Sequence, residues 1–342
     1  MLYHYLSLPE PERNKLEASL QNLSGHSKRR GDDTNFRAEL LDIKPLQNTY
    51  FLLTRGISPA TLKHPNFAGT IYNVEDRNFV NTAFPYYDHS GTTLIGLELR
   101  NHKFKQHAEN SKKSVGIWHS NPPAKVDQVV LTESGIDALS YHQLHQPPNT
   151  LYISVGGNLT SQQIKTALTY IATLEGGKDA KFFLGFDQDK DGAKYDLRFL
   201  LESNKEKLPA ASIHGSKHFL NVEIPLLSPE AVTLARSMIN SIERYNKPHE
   251  EQVKGVDDPA LKKDVLGMMF QHSKEDNNNI KIQIPNSYQA ISFFNNEFLS
   301  GLNIHNKFKL EKAQTKDFND DLKLKTKGGQ TQNREAVYSR RR

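Results

Sequence analysis

Two short apolar runs, each rich in β-formers, each ending in a carboxylate and each followed by a helix-like segment, constrain this chain more than any other feature. The first is Val129-Val130-Leu131-Thr132-Glu133-Ser134-Gly135. The second is Phe182-Phe183-Leu184-Gly185-Phe186-Asp187-Gln188-Asp189-Lys190-Asp191-Gly192. They belong to a regular alternation over residues 125–215. The pattern predicts strands at Gln128–Leu131, Leu151–Val155, Lys181–Phe186 and Ala211–His214, with helices near Gly135–Leu144, Ser161–Leu174 and Ala193–Leu201. Thr160, after a Gly156-Gly157 turn, reads as the N-cap of the second helix. Alternation of this kind implies right-handed crossovers and a parallel sheet flanked by helices, so the expected fold class is α/β.

Open α/β sheets bind ligands beyond the carboxyl ends of their strands. Glu133 and Asp187 can therefore end on one sheet edge, with Asp189 and Asp191 close behind. Carboxylates gathered in one place repel one another, and a divalent cation, Mg²⁺ or Mn²⁺, relieves that repulsion and readily meets phosphate. Two other readings compete. Asp187-Gln188-Asp189-Lys190-Asp191-Gly192 matches the first half of a calcium-binding EF-hand loop, but position twelve is Arg198 where that loop needs a bidentate glutamate, and a β-type run precedes it. By itself the aspartate run also fits a solvent-exposed turn. A carboxylate ending a second strand, at Glu133, weighs against that.

Composition limits the chemistry. There is no cysteine, so neither a disulfide framework nor a thiolate zinc site can form. No apolar run approaches the roughly 18 residues of a membrane span, and Met1-Leu2-Tyr3-His4-Tyr5 is not a basic-then-apolar leader, so a cytoplasmic protein without a membrane partner is expected. The formal net charge of +5 suits a nucleic-acid partner. Basic residues gather at Lys28-Arg29-Arg30, between Arg100 and Lys113, and at Arg340-Arg341-Arg342, although each cluster alone reads more readily as a solvated surface or a disordered end than as a binding site. His142 and His145 have a helical spacing that suits a metal but also suits packing, and Trp118 reads as a stacking platform or a buried junction residue.

Glu133 with Ser134-Gly135-Ile136-Asp137-Ala138-Leu139, then Ser154-Val155-Gly156-Gly157, then Phe186 to Gly192, resembles the Toprim domain of bacterial primases, type IA and type II topoisomerases and some nucleases. The resemblance implies that Glu133 is a general acid/base or a metal-linked carboxylate. It implies Asp187 and Asp189 as Mg²⁺ (or Mn²⁺) ligands, Asp191 as a third, and Gly135, Gly156, Gly157 and Gly192 as structural turns. Lys316-Asp317-Phe318-Asn319-Asp320-Asp321-Leu322 resembles the Lys-Asp-Trp-Asn-Asp element that follows the Toprim core in mobile-element and phage primase-like proteins, with Phe318 replacing the tryptophan. That likeness implies accessory roles for Lys316, Asp317, Asn319 and Asp320. An ordinary acidic helix start fits the same run.

Upstream, Tyr50–Lys63, Ala83–Gly91 and Ile95–Arg100 resemble the N-terminal part of the bacterial primase core. This implies nucleotide or nucleic-acid contacts by Arg55 and Arg100, with Lys103, Lys105, Lys112 and Lys113 nearby; pairing of each arginine with a local acid is the alternative. The zinc-binding module that bacterial primases carry cannot be built in the usual way without cysteine.

The expected organisation is a helical appendage and linker (1–45), a smaller α+β primase-core-like subdomain (46–124), a Toprim domain (125–215), an insertion or helical extension (216–309), and the Lys-Asp-Phe-Asn-Asp element with a basic, disordered tail (310–342). The expected function is Mg²⁺-dependent, primase-like nucleotidyl transfer in replication or transfer of a plasmid, phage or other mobile element. Single-stranded DNA or other nucleic acid, nucleotide triphosphates and a helicase or relaxase are the expected partners. A Toprim nuclease that cuts or nicks DNA, or a non-catalytic nucleic-acid-binding component, are the alternatives.

Overall fold

The computed structural model describes residues 36–326 apart from 77, 78, 103, 255 and 277. Residues 1–35 of the expected helical appendage and linker, with the cluster Lys28-Arg29-Arg30, and likewise Lys103 and the terminal arginines lie outside the described residues. A 3-10 turn at Ala38–Leu40 leads to β1 (Asp42–Pro45), α1 (Tyr50–Thr54), α2 (Pro59–Lys63), β2 (Tyr72–Asp76), β3 (Phe79–Tyr87), β4 (Leu94–Asn101), β5 (Phe104–His107) and β6 (Trp118–His119). Then come β7 (Gln128–Thr132), α3 (Gly135–His145), β8 (Thr150–Ser154), α4 (Ser161–Thr173), β9 (Lys181–Gly185) and α5 (Lys190–Ser203). The remainder is β10 (Ser212–Gly215), β11 (Phe219–Pro225), α6 (Pro229–Lys254), α7 (Pro259–Leu266), β12 (Gln271–Asp276), β13 (Asn279–Pro285), α8 (Tyr288–Gly301), β14 (Phe308–Leu310) and a last helix, α9, over 318–326.

The central sheet has the order β14-β9-β7-β8-β6, with every pair parallel except β6 against β8. Its strands are buried on both faces, and their period-two alternation sends neighbouring side chains into different cores. Val129, Leu131, Leu151, Ile153 and Leu184 pack with Ile164 and Ala167 of α4 and Ala193 and Leu197 of α5. Val130 and Tyr152 face the other way, toward Ile136 and Leu139 of α3, Leu52, Leu62, Trp118 and Phe318. Helix starts are locally encoded. Ser58 accepts the Thr61 N–H ahead of Pro59, and Thr160 with Gln163 forms a reciprocal capping box.

Two departures from the sequence pattern concern connectivity. The strand expected at Ala211–His214 forms at Ser212–Gly215 but pairs antiparallel with β11 in a separate sheet of order β10-β11-β13-β12. The central sheet takes its outer parallel strand instead from β14, which lies beside β9 with Phe308 opposite Phe182. Residues between α5 and β14 therefore form a layer of their own, in which Leu220, Val222, Ile224, Ile280, Ile282 and Ile284 face the core shared with α6 and α8. Helix α8 also leans on α5, where the Asn295 amide donates to the Ala193 carbonyl at 2.9 Å. Strands β12 and β13 pair antiparallel, and α6 runs from Pro229 to Lys254.

The first sheet, β1-β2-β3-β4-β5, is an antiparallel meander. Trp118 joins it to the central sheet: the indole is fully buried, donates to the Thr70 carbonyl at 2.9 Å and meets Phe84 edge-on. Among the described residues no helix is long and apolar enough to cross a membrane.

Candidate active site

The site follows from register. Thr132 of β7 pairs with Gly185 of β9, so Glu133 is the first residue past one strand and Asp187 the second past its neighbour. Both chains then turn into helices. Ser134 caps α3 and its hydroxyl donates to the Asp137 carboxylate at 2.5 Å; Asp189 caps α5, accepting the Asp191 and Gly192 N–H groups at 3.0 Å each. Gly192 is required here, because a Cβ would lie 2.0 Å from the Asp187 carbonyl oxygen. Gly135 similarly leaves room for the Phe84 ring, 2.4 Å from where its Cβ would be.

The electrostatics are those of crowded acids. Burial and the charges of Asp187, Asp189 and Asp137 push the Glu133 carboxyl up to about 8, while Lys105 opposes them. Burial and the charges of Asp137 and Asp317 raise Asp187 to about 7, against the pull of Lys316. Buried Asp137 is raised to about 6, chiefly by desolvation and Asp317. Glu133, Asp187, Asp189 and Asp137 thus act electrostatically on one another along this edge. Asp191 stands apart in the first turn of α5, with a side chain 64% exposed and 3.2 Å from Lys194.

The C-terminal element reaches this edge. The Gln188 N–H donates to the Lys316 carbonyl at 2.8 Å, and the Lys316 ammonium lies 3.8 Å from the Asp187 carboxylate. Asp317 caps α9 by accepting the Asp320 N–H at 2.7 Å. Phe318 is buried against Tyr141 and Gly185, and the Asn319 amide donates to the Arg55 carbonyl at 2.7 Å and the Ser140 hydroxyl at 3.0 Å. Asp320 pairs with Lys323. Just upstream, the Lys312 ammonium lies 2.7 Å from buried Asp196 and donates to the Phe186 carbonyl, which holds the end of β9.

A second group approaches from the meander. Glu98 on β4 is 1% exposed and accepts from the Tyr86 hydroxyl and the Arg100 guanidinium at 2.9 Å each, with Lys105 at 3.8 Å. The Gly156-Gly157 turn runs beside this network. The Gly157 N–H donates to the Glu133 carbonyl, Gly156 has φ +69°, and any Cβ on it would strike the Tyr86 hydroxyl. His107 lies 3.3 Å from the same hydroxyl, its basicity lowered by burial and then by neighbours that include Lys113, Lys105 and Arg100. Arg55 sits apart at the end of α1, its Nε buried without a hydrogen-bond partner among the described residues. Lys112 follows β5, its N–H bonded to the Ile95 carbonyl.

Sequence reasoning missed Asp137, Glu98 and Lys312. Asp137 carries a local signal, since it stands three residues after a capping serine; Glu98 and Lys312 become visible only through long-range packing. The helical pair His142 and His145 diverges. His142 meets Tyr152 and His64, while His145 meets Tyr141 and Phe318.

The donor set suits a hard divalent cation, because every group is a carboxylate oxygen and the Lys316 ammonium already stands in as a cation beside Asp187. Among the described residues no three His, Asp or Glu side chains converge as a ready-made cage.

Residues 130–218 match the Toprim-like family model. No curated protein matches the chain. Among solved structures it is similar to the primase fragment of the bacteriophage T7 primase-helicase protein, with 16% identity and a TM-score of 0.32 over 52% of this chain and 70% of that one. It is also similar to the bacteriophage T7 lagging-strand DNA polymerase with primase domains bound to an RNA/DNA hybrid and dTTP, with 16% identity and a TM-score of 0.32 over 45% of this chain. The chain spans 64% of that second relative, less than two thirds of its length.

Proposed function

We propose that the Toprim-like segment at residues 130–218 carries a nucleotidyl-transfer centre of the primase type, acting on nucleic acid and nucleotide triphosphates with Mg²⁺ or Mn²⁺. The observation that carries this reading is the placement of Glu133 and Asp187 at the ends of adjacent parallel strands, with Asp189 capping the next helix. A bound divalent cation would supply charge neutralisation at phosphate oxygens and would orient an in-line displacement.

The chain's own residues do the rest. Asp187 and Asp189 would hold the cation, and Glu133, at the end of the adjacent strand, would move a proton or join the metal. Arg100 and Lys105 are held in place by buried Glu98, and Lys105 also acts electrostatically on Glu133, which suits them to phosphate contacts flanking the reacting groups. The mobile-element setting, the helicase or relaxase partner and the roles of Asp191, Lys112 and Lys113 belong to the same proposal, on the sequence resemblance.

Template-dependent incorporation of labelled nucleotides on single-stranded DNA with Mg²⁺ tests it. Wild type is expected to extend or synthesise primers and Asp187→Ala to lose at least the ~10²-fold expected of a preorganised charge-stabilising group. Equal product from Asp187→Ala, or none from wild type, overturns the reading. Nicking of supercoiled plasmid without added nucleotides would replace it with a nuclease.

A further inference from the structure

Lys316 has a fixed backbone and a loosely held charge. Its carbonyl is bonded to the Gln188 N–H, Phe318 is buried two residues later, and Asn319 is anchored to both Arg55 and Ser140. Its ammonium, in contrast, is 62% exposed and sits 3.8 Å from Asp187, longer than a hydrogen bond. Asp187, Asp189, Asp317 and Glu133 all act on it, so it lies at the focus of the acids that would draw a divalent cation.

Two like-signed cations cannot share these carboxylates without mutual repulsion. A divalent ion arriving at Asp187 would therefore push the ammonium aside, and the anchored backbone would keep the displaced charge within a side chain's length of the site. There it would lack its carboxylate partner and would face incoming phosphate.

We propose that Lys316 is the site's resident counter-cation, displaced from Asp187 by a divalent ion and then used to bind the phosphates of an anionic substrate. This rests on the metal-dependent reading above. It assigns one lysine two opposed effects, which a merely structural residue would not have.

The test measures Mn²⁺ binding by calorimetry and then, at saturating Mn²⁺, binding of inorganic triphosphate, for wild type, Lys316→Met and Lys316→Arg at fixed ionic strength. Lys316→Met is expected to bind Mn²⁺ about 3- to 10-fold more tightly, the scale of one partly screened charge near an exposed site, and triphosphate more weakly by a similar factor. Lys316→Arg keeps the charge and should stay near wild type in both. Unchanged or weaker Mn²⁺ binding by Lys316→Met, or unchanged triphosphate binding, overturns the inference while leaving the metal site standing. Absence of Mn²⁺ binding in wild type overturns the metal reading and this inference with it.

Discussion

Glu133 and Asp187 set a pH dependence that can be worked out in sign. Their carboxyls are raised from ordinary values of 4.5 and 3.8 to about 8 and about 7. Between those limits the folded chain holds protons that the unfolded chain has released, so unfolding free energy falls as pH rises through the window and levels off above about 8. Chemical denaturation across this range in the absence of divalent ions should show that decline, and Glu133→Gln should flatten it. Millimolar Mg²⁺ should flatten it as well. At Gly192 the constraint is steric: Gly192→Ala places a methyl 2.0 Å from a carbonyl oxygen, and a loss of about 1–3 kcal/mol of unfolding free energy is expected in chemical denaturation.

At the scale of elements, α9 and the residues before it form a strap across the site edge. Phe318 is buried between Tyr141 and Gly185, so Phe318→Ala should cost about 3–5 kcal/mol of stability, measured by urea unfolding. Asn319→Ala strips the donor from the Arg55 carbonyl and should cost about 1–3 kcal/mol. The strands and helix starts of residues 128–203 were legible because their signals are local: apolar runs, and Thr160 after the Gly156-Gly157 turn. Adjacent strand ends for Glu133 and Asp187 were legible for the same reason, once a parallel sheet was inferred. The strap was only half legible. Lys316 to Leu322 carried a motif, but Phe308–Leu310 is too short to announce itself as a sheet strand, and its partner Lys181–Gly185 is far away in sequence. The Ser212–Gly215 strand was visible, yet its sheet was not, since pairing with β11 or with β9 uses the same apolar alternation.

At the scale of the molecule, the meander brings Arg100 and Lys105 toward the central sheet's carboxyl edge, held there by Glu98. If single-stranded nucleic acid follows this path, Lys105→Gln should lower the slope of log affinity against log salt by about 0.7, whatever the strand's sequence. Filter binding at several salt concentrations reads that slope directly. The strap also has a consequence for synthesis. Arg55 meets Asn319 across 264 residues, and Phe186 meets Lys312 across 126. A ribosome-bound chain must expose residues through α9 before the outer strand and the strap can close on the edge that presents Asp187, and contacts of such long range form late. Chains synthesised only as far as α8 therefore carry the acids without Lys316 and its anchors, so the full charge cluster assembles only after residues 308–326 have emerged.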